Sequence, residues 1–157
     1  SWISAMPSNL YGPGDNYDPA NSHVLAAFLR RFHEAKVNGT QFVTIWGTGS
    51  PLREFVHTED LASAVCLLLE VYDDPAPINV GSGKEISIKN LAELVAEIVG
   101  YEGSVRYDRS KPDGTPRKAL DSSRITQLGW QPSWDLRSGI SDAYNSFLQE
   151  VATAETL

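Results

Sequence analysis

A histidine at the mouth of a helix is the first group in this sequence with chemistry to offer. His23 follows a turn-rich stretch from Pro7 to Pro19. It enters a helix that the spacing of Val24, Leu25, Phe28 and Phe32 predicts over residues 22–36, capped by Asn21 or Ser22 and stopped by Asn38-Gly39. Backbone N–H groups at such an end face outward and favour anions, so an imidazole there suits proton transfer beside an anionic ligand. A surface histidine without chemical consequence fits the same spacing, and position alone leaves both readings open.

Cations form the second set. Arg31 lies eight residues beyond His23, about 12 Å along the same helix and turned by about 80°. Arg53 follows the turn Gly47-Thr48-Gly49-Ser50-Pro51, and Lys111, Arg117 and Lys118 flank Asp113 in a later Pro/Gly loop. Arginine forks suit diphosphates, and Trp46 offers a flat face to a sugar or a base. Taken singly, each cation is equally well explained as solvated surface charge. Their gathering where loops converge is what points to a ligand.

Other patterns resolve into ordinary structure. Gly-x-Gly triplets begin at Gly12, Gly47 and Gly81, but the residues where a dinucleotide fingerprint needs its third glycine are Tyr17, Leu52 and Ile86. They read as turns. Tyr107 and Lys111 have the spacing of a reductase pair, yet Pro112 and the strand-like Val105-Arg106-Tyr107 argue against the helix that such a pair requires. His33 reads as a surface residue and His57 as one bonded to the loop before a helix cap. No two histidines have zinc-ligand spacing with a third ligand nearby, so no metal is expected.

The elements that must position these groups follow from composition and period. With 157 residues, 41% of them hydrophobic, the chain suits roughly one domain. Ser1 to Met6 reads as a buried strand, followed by a loop to Pro19. Phe42–Trp46 and 53–57 read as strands, and Thr58 caps a helix burying Leu61, Val65, Leu68 and Tyr72. Ile78–Val80 is a short strand. Ser87 opens a helix with Ile88, Leu91, Val95, Ile98 and Val99 apolar, which Gly100 ends. Residues 105–107 read as a strand, 111–117 as a loop, 123–128 as a short helix and 136–151 as the last helix. Strands alternating with helices give an α/β or α+β class. A buried strand at the first residue, with no initiator Met, reads as a chain that starts inside a larger fold.

Charge and cysteine use narrow the function classes. Against 20 Asp+Glu there are 13 Lys+Arg, a net charge of −7, which disfavours a nucleic-acid surface. No run is long and apolar enough for a membrane span. The single cysteine, Cys66, excludes an internal disulfide and fits a reducing, cytoplasmic setting.

Longer strings carry a resemblance. Met6-Pro7-Ser8-Asn9-Leu10-Tyr11-Gly12-Pro13, Asn21-Ser22-His23-Val24 and Arg30-Arg31-Phe32-His33-Glu34-Ala35 are similar to segments of GDP-L-fucose synthases, in the same order. So are the segments from Trp46 to Phe55, from Asn79 to Gly83, and Lys111-Pro112-Asp113-Gly114-Thr115-Pro116-Arg117-Lys118. Leu128-Gly129-Trp130-x-Pro132 resembles an ending common to extended short-chain dehydrogenase/reductases.

The resemblance implies conversion of GDP-4-keto-6-deoxy-D-mannose to GDP-L-fucose, by epimerisation at C3 and C5 and reduction of the C4 ketone with NADPH. It implies Pro7, Ser8, Asn9 and Leu10 beside the nicotinamide, and His23 as cofactor contact and epimerisation acid. Arg31, Trp46, Arg53, Asp113 and Lys118 would bind the GDP-sugar. It further implies that residues 1–157 are the substrate-binding portion, an α+β domain with remnant strands of a Rossmann-type NAD(P)-binding sheet. The dinucleotide-binding N-terminal half lies outside this sequence, and the fragment alone is inactive. The complete enzyme would be a cytoplasmic homodimer with no nucleic-acid or membrane partner. Another nucleotide-sugar epimerase or dehydratase, told apart by its nucleotide, and a non-catalytic nucleotide-sugar binding module stand beside this reading.

Overall fold

The first two strands set the architecture. In the computed structural model, which describes residues 2–154, β1 (Ala5–Pro7) pairs in parallel with β5 (Ile78–Val80). After Ser8 the chain changes partner, and β2 (Asn9–Tyr11) pairs in parallel with β4 (Leu52–His57). The opening strand is therefore not buried as its apolar sequence predicts. Only one edge of β1 is paired, so Met6 is 52% exposed and Trp2 96%. The expected loop also contains β2, a strand of three residues that pairing with β4 creates.

β4 is the hub. Its Leu52–Glu54 half pairs antiparallel with β6 (Glu85–Ser87), and Leu52 and Arg53 also pair in parallel with β8 (Arg117–Lys118). A separate two-stranded parallel sheet joins β3 (Phe42–Trp46) to β7 (Ser104–Asp108). Along β3, Val43 and Ile45 point inward while Phe42, Thr44 and Trp46 face out, the alternation of a half-covered strand.

Helices cover these strands. α1 (Val24–Val37) buries Leu25, Ala26, Phe28, Leu29, Phe32 and Ala35, and ends at Asn38 and Gly39. α3 (Ile88–Val99) is capped by Ser87, whose hydroxyl accepts from the Asn90 N–H, and ends at Gly100 with φ 73°. α5 (Leu136–Ala154) begins where Asp135 accepts from the Ser138 N–H. With β3, these helices enclose the larger apolar cluster, centred on Phe28, Leu29, Phe32, Leu91, Val95 and Ile140.

A smaller cluster lies under α2 (Thr58–Val71) and the short α4 (Ser123–Gln127) and holds Ala64, Leu68, Ile78, Val80, Ile125 and Trp130. The α2 cap is His57 rather than Thr58, through a ring Nδ1 that accepts from the Glu59 N–H. Val65 is 37% exposed instead of buried. The inward stripe runs through Ala64 and Leu68, which leaves Val65 and Leu69 on an open apolar face. Two buried tethers fix the chain between α4 and α5. The Asp60 carboxylate accepts from the Ser133 N–H and hydroxyl and the Trp134 N–H, and Trp130 Nε1 donates to the Ser63 hydroxyl.

Candidate functional site

The turn between β3 and β4 is built around two glycines, Gly47 and Gly49, in the left-handed region that disfavours side chains. Gly47 has φ +80°, and a Cβ there would run into the Asp113 carboxylate and lie 3.1 Å from its Cα. Close approach lets Asp113 Oδ1 accept the Thr48 N–H at 2.6 Å, while Oδ2 accepts the Thr48 hydroxyl at 2.8 Å. These bonds, the backbone N–H first and then the hydroxyl, hold the Asp113 carboxyl below its ordinary value and keep it ionised. Thr48 is a site residue that inspection of the sequence passed over. Its signal was a hydroxyl residue between two glycines, a position suited to bonding across a turn.

Arg53 secures the same loop at its middle. Its Nη1 donates to the Thr115 carbonyl at 2.8 Å and to the Leu52 carbonyl at 2.7 Å. Lys118 is exposed and sits opposite Arg53 in the β4–β8 register, so the two cations project from neighbouring strands. Arg117 is occupied instead, by a two-pronged pair with Glu85 at 2.7 and 3.0 Å.

The outer face of β3 adds the aromatic component. Trp46 is 63% exposed with the Lys111 ammonium 5.6 Å from its ring centre, and Arg106 lies 3.8 Å over the Phe42 ring. Arg31 and Trp46 line one open groove, floored by Val43 and Thr44. The structure thus places Arg31 and Trp46 along one groove, Asp113 on the turn that follows Trp46, and Arg53 and Lys118 side by side on paired strands.

His23 stands apart from that set. It is the N-cap of α1 rather than a residue of its first turn, because the chain from Asp18 to Ser22 is held in its own turn by bonds to the Asp18 carbonyl. Its ring is exposed and makes no capping bond. Beside it, the Ser22 hydroxyl is buried without a partner.

The segment Pro7–Leu10 runs between two sheets. Ser8 donates its N–H to the Val80 carbonyl at 2.9 Å, while its hydroxyl is buried and unpartnered; Asn9 donates from Nδ2 to the Glu54 carbonyl at 2.7 Å. An orphaned buried hydroxyl there fits a ligand amide or hydroxyl.

The first glycine of each Gly-x-Gly turn is closely packed, whereas Gly14 and Gly83 face open space. Gly12 lies against the Thr58 hydroxyl, Gly47 against Asp113, and Gly81 against Glu54 and Ser122. Tyr107 is on β7 and Lys111 in the loop beyond, so the reductase-like spacing has no helix under it. His33 is not a free surface residue. Its Nδ1 is 2.9 Å from the Tyr144 hydroxyl, and its ring meets Phe147 edge-on. Among the described residues no group of three or more His, Cys, Asp or Glu is placed to hold a metal, and no helix is long and apolar enough to cross a membrane.

The family model described as "NAD dependent epimerase/dehydratase family" matches residues 1–81. The chain is 58% identical over 149 residues to GDP-L-fucose synthase 1 of Arabidopsis thaliana, covering 95% of this chain and 46% of that protein. Against the GDP-L-fucose synthase of Escherichia coli strain K12 it is 47% identical over 155 residues, covering 93% and 48%. A crystal structure of a GDP-L-fucose synthetase from Naegleria fowleri bound to NADP superposes with a TM-score of 0.89 at 28% identity, over 96% of this chain and 48% of that one. The chain spans about half the length of the curated relatives it matches. With more than half of its residues inside the matched model, the chain belongs to the NAD dependent epimerase/dehydratase family.

Proposed function

We propose that this chain is the sugar-nucleotide-binding portion of an enzyme that makes GDP-L-fucose from GDP-4-keto-6-deoxy-D-mannose. The observation that carries the reading is the convergence of Trp46, Arg53 and the Asp113 loop on one glycine turn. In it Trp46 stacks on the nucleoside side of the ligand, Arg31, Arg53 and Lys118 face its diphosphate, and Asp113 holds the loop and a ligand hydroxyl. His23, exposed and unbonded at a helix entrance, returns the proton to carbon after each epimerising deprotonation.

NADPH fits one part of this chain and not another. Ser8 carries an unpartnered buried hydroxyl, and Asn9 is fixed beside it, so Pro7–Leu10 would hold the nicotinamide end. The cofactor, when bound, supplies the hydride that reduces the C4 ketone. No Gly-x-Gly turn carries the third glycine of a dinucleotide fingerprint, so its pyrophosphate calls for a dinucleotide-binding portion such as the remaining length of the relatives provides. The open apolar face of α2 and the unpaired edge of β1 are suited to receive that portion. On this reading residues 1–157 have no reductase activity alone, and the complete enzyme is a cytoplasmic homodimer in which the exposed Cys66 remains a free thiol.

Calorimetric titration of the chain with GDP, ADP, UDP and dTDP tests the assignment. Selective uptake of GDP is the expected result. Preference for another nucleotide would redirect the reading to a different nucleotide-sugar epimerase, and measurable NADPH turnover by the isolated chain would overturn its division of labour.

A further inference from the structure

A buried carboxylate lies behind the loop that carries Asp113, with the Arg117 guanidinium near enough to feel its charge. Glu54 is 1% exposed, and among the described residues it takes part in no ion pair. Its charge is met by backbone N–H groups from two separate loops. Oε1 accepts from Gly83 at 2.7 Å, and Oε2 accepts from Leu120 at 2.9 Å. The Glu54 carbonyl meanwhile accepts the Asn9 side chain. One residue thus touches the end of the Asp113 loop, the Gly81–Gly83 turn and the Pro7–Leu10 segment.

We infer that Glu54 is a positioning residue for nucleotide-sugar binding, which fixes the Asp113 loop at its exit while anchoring Asn9. This rests on the functional reading above, and it extends that reading to a residue with no ligand contact of its own. The loop is held at three successive points: Asp113 on Thr48, the Thr115 carbonyl on Arg53, and the Leu120 N–H on Glu54. Arg53 and Glu54 are neighbours on β4, so their side chains leave opposite faces of the strand. Arg53 reaches the loop from its ligand side and Glu54 from its buried side. Between these two grips, β8 is pinned to β4 by the pairs Leu52–Arg117 and Arg53–Lys118.

The choice of an acid here is informative. Burying a carboxylate is costly unless its lone pairs are satisfied, and a hydrocarbon of similar volume commonly serves stability as well or better. Charge-assisted bonds to two N–H groups are stronger and more directional than apolar packing. What the acid adds is a fixed distance between two loops. The Gly81 turn is drawn so close that a Cβ at Gly81 would meet the Glu54 carboxylate and lie 2.6 Å from the Ser122 hydroxyl.

The test pairs Glu54→Gln with a control at a second buried acid. The amide of E54Q presents a donor to one of two N–H groups and must release either Gly83 or Leu120. Asp60, 2% exposed, is similarly satisfied by donors from Ser133 and Trp134, but it holds a different part of the fold. GDP titration and amide hydrogen exchange would be measured on the wild-type chain, E54Q and D60N. The expected result is a loss of GDP affinity of about tenfold or more in E54Q, with faster exchange at Arg117–Leu120. D60N should lose comparable thermal stability while keeping wild-type affinity and wild-type exchange at those amides.

Equal affinities in the two variants, or unchanged exchange at Arg117–Leu120 in E54Q, would overturn the inference. If E54Q does not fold, Glu54→Asp carries the same comparison, since it keeps the charge but is one methylene too short to reach both loops. A wild-type chain that takes up no GDP would count against the functional reading instead. The exchange comparison needs no ligand and would still decide whether Glu54 holds the exit of the Asp113 loop, and unchanged exchange would overturn the inference by itself.

Discussion

Asp113 and Thr48 close a contact across 65 residues of chain, with one carboxylate receiving both the backbone N–H and the hydroxyl of the threonine. The contact joins the turn that presents Trp46 to the loop that ends at Lys118. Asp113→Ala should therefore lower GDP affinity by about tenfold while the thermal midpoint stays close to wild type, because the pair lies at the surface. Calorimetry beside a melting curve checks both halves of this statement.

The same pair predicts a pH response. Folding lowers the Asp113 carboxyl below its ordinary value of 3.8, so its contribution is full above that value and is lost as pH falls through the lower, folded value. Amide shifts of Thr48 and Gly49 followed by NMR in acid should report release of the loop. Their transition should fall below pH 3.8 in the wild type and vanish in Asp113→Asn.

Gly47→Ala should act on the turn directly. Placing a Cβ residue at φ +80° costs about 1–2 kcal/mol, and the new methyl also displaces Asp113. A lowered unfolding midpoint together with weaker GDP binding is expected. Gly39→Ala, whose Cβ would meet nothing within 4 Å, should show the backbone cost alone and leave binding intact.

Arg53 offers a test of fork against point charge. The Nη1 atom bridges the Leu52 and Thr115 carbonyls, leaving the rest of a planar guanidinium for a diphosphate. Arg53→Lys should therefore bind GDP nearly as poorly as Arg53→Ala, both at least about tenfold weaker than wild type. Titration of the pair decides it: full affinity in the lysine variant alone would mean that a point charge suffices, and full affinity in both variants would remove Arg53 from the site.

His23→Ala should separate chemistry from binding. In an enzyme completed by a dinucleotide-binding portion, epimerisation measured by solvent deuterium uptake at C3 and C5 should slow by about 10²–10⁴-fold. GDP affinity should be unchanged, since the ring bonds to nothing around it.

Much of the frame was legible because it rests on local rules. Phe42–Trp46 and Ile78–Val80 fall where alternation and β-branched runs put them, and Ser87 and Gly100 bound α3 through a hydroxyl cap and a left-handed residue. β2, β6 and β8 escaped notice because each has two or three residues and owes its strand geometry to β4. Ile3 and Met6 looked buried since sequence shows that residues are apolar but not what covers them. His33 looked exposed for the converse reason: Tyr144 and Phe147, which meet it, lie more than a hundred residues away.

The candidate site divides in the same way. Residue type and setting marked Arg31, Trp46, Arg53, Lys111, Arg117 and Lys118 as candidates, and the resemblance added Asp113 as a ligand contact. What holds them had no local mark. Thr48 reaches Asp113, and Glu54 reaches Gly83 and Leu120, only after β3, β4 and β8 have come together.

The two apolar clusters carry different natural fluorophores. Trp130, 5% exposed, belongs to the smaller one, whereas the buried aromatics of the larger are all Tyr and Phe. Trp46 is already in solvent, so entry of water between α2 and β5 changes the surroundings of Trp130 without changing those of Trp46. A red shift in tryptophan emission therefore reports water reaching Trp130, together with the half-buried Trp134 that stacks on His57 at 4.3 Å. Tyrosine absorbance follows mainly the larger cluster, which buries Tyr11, Tyr17, Tyr101 and Tyr144.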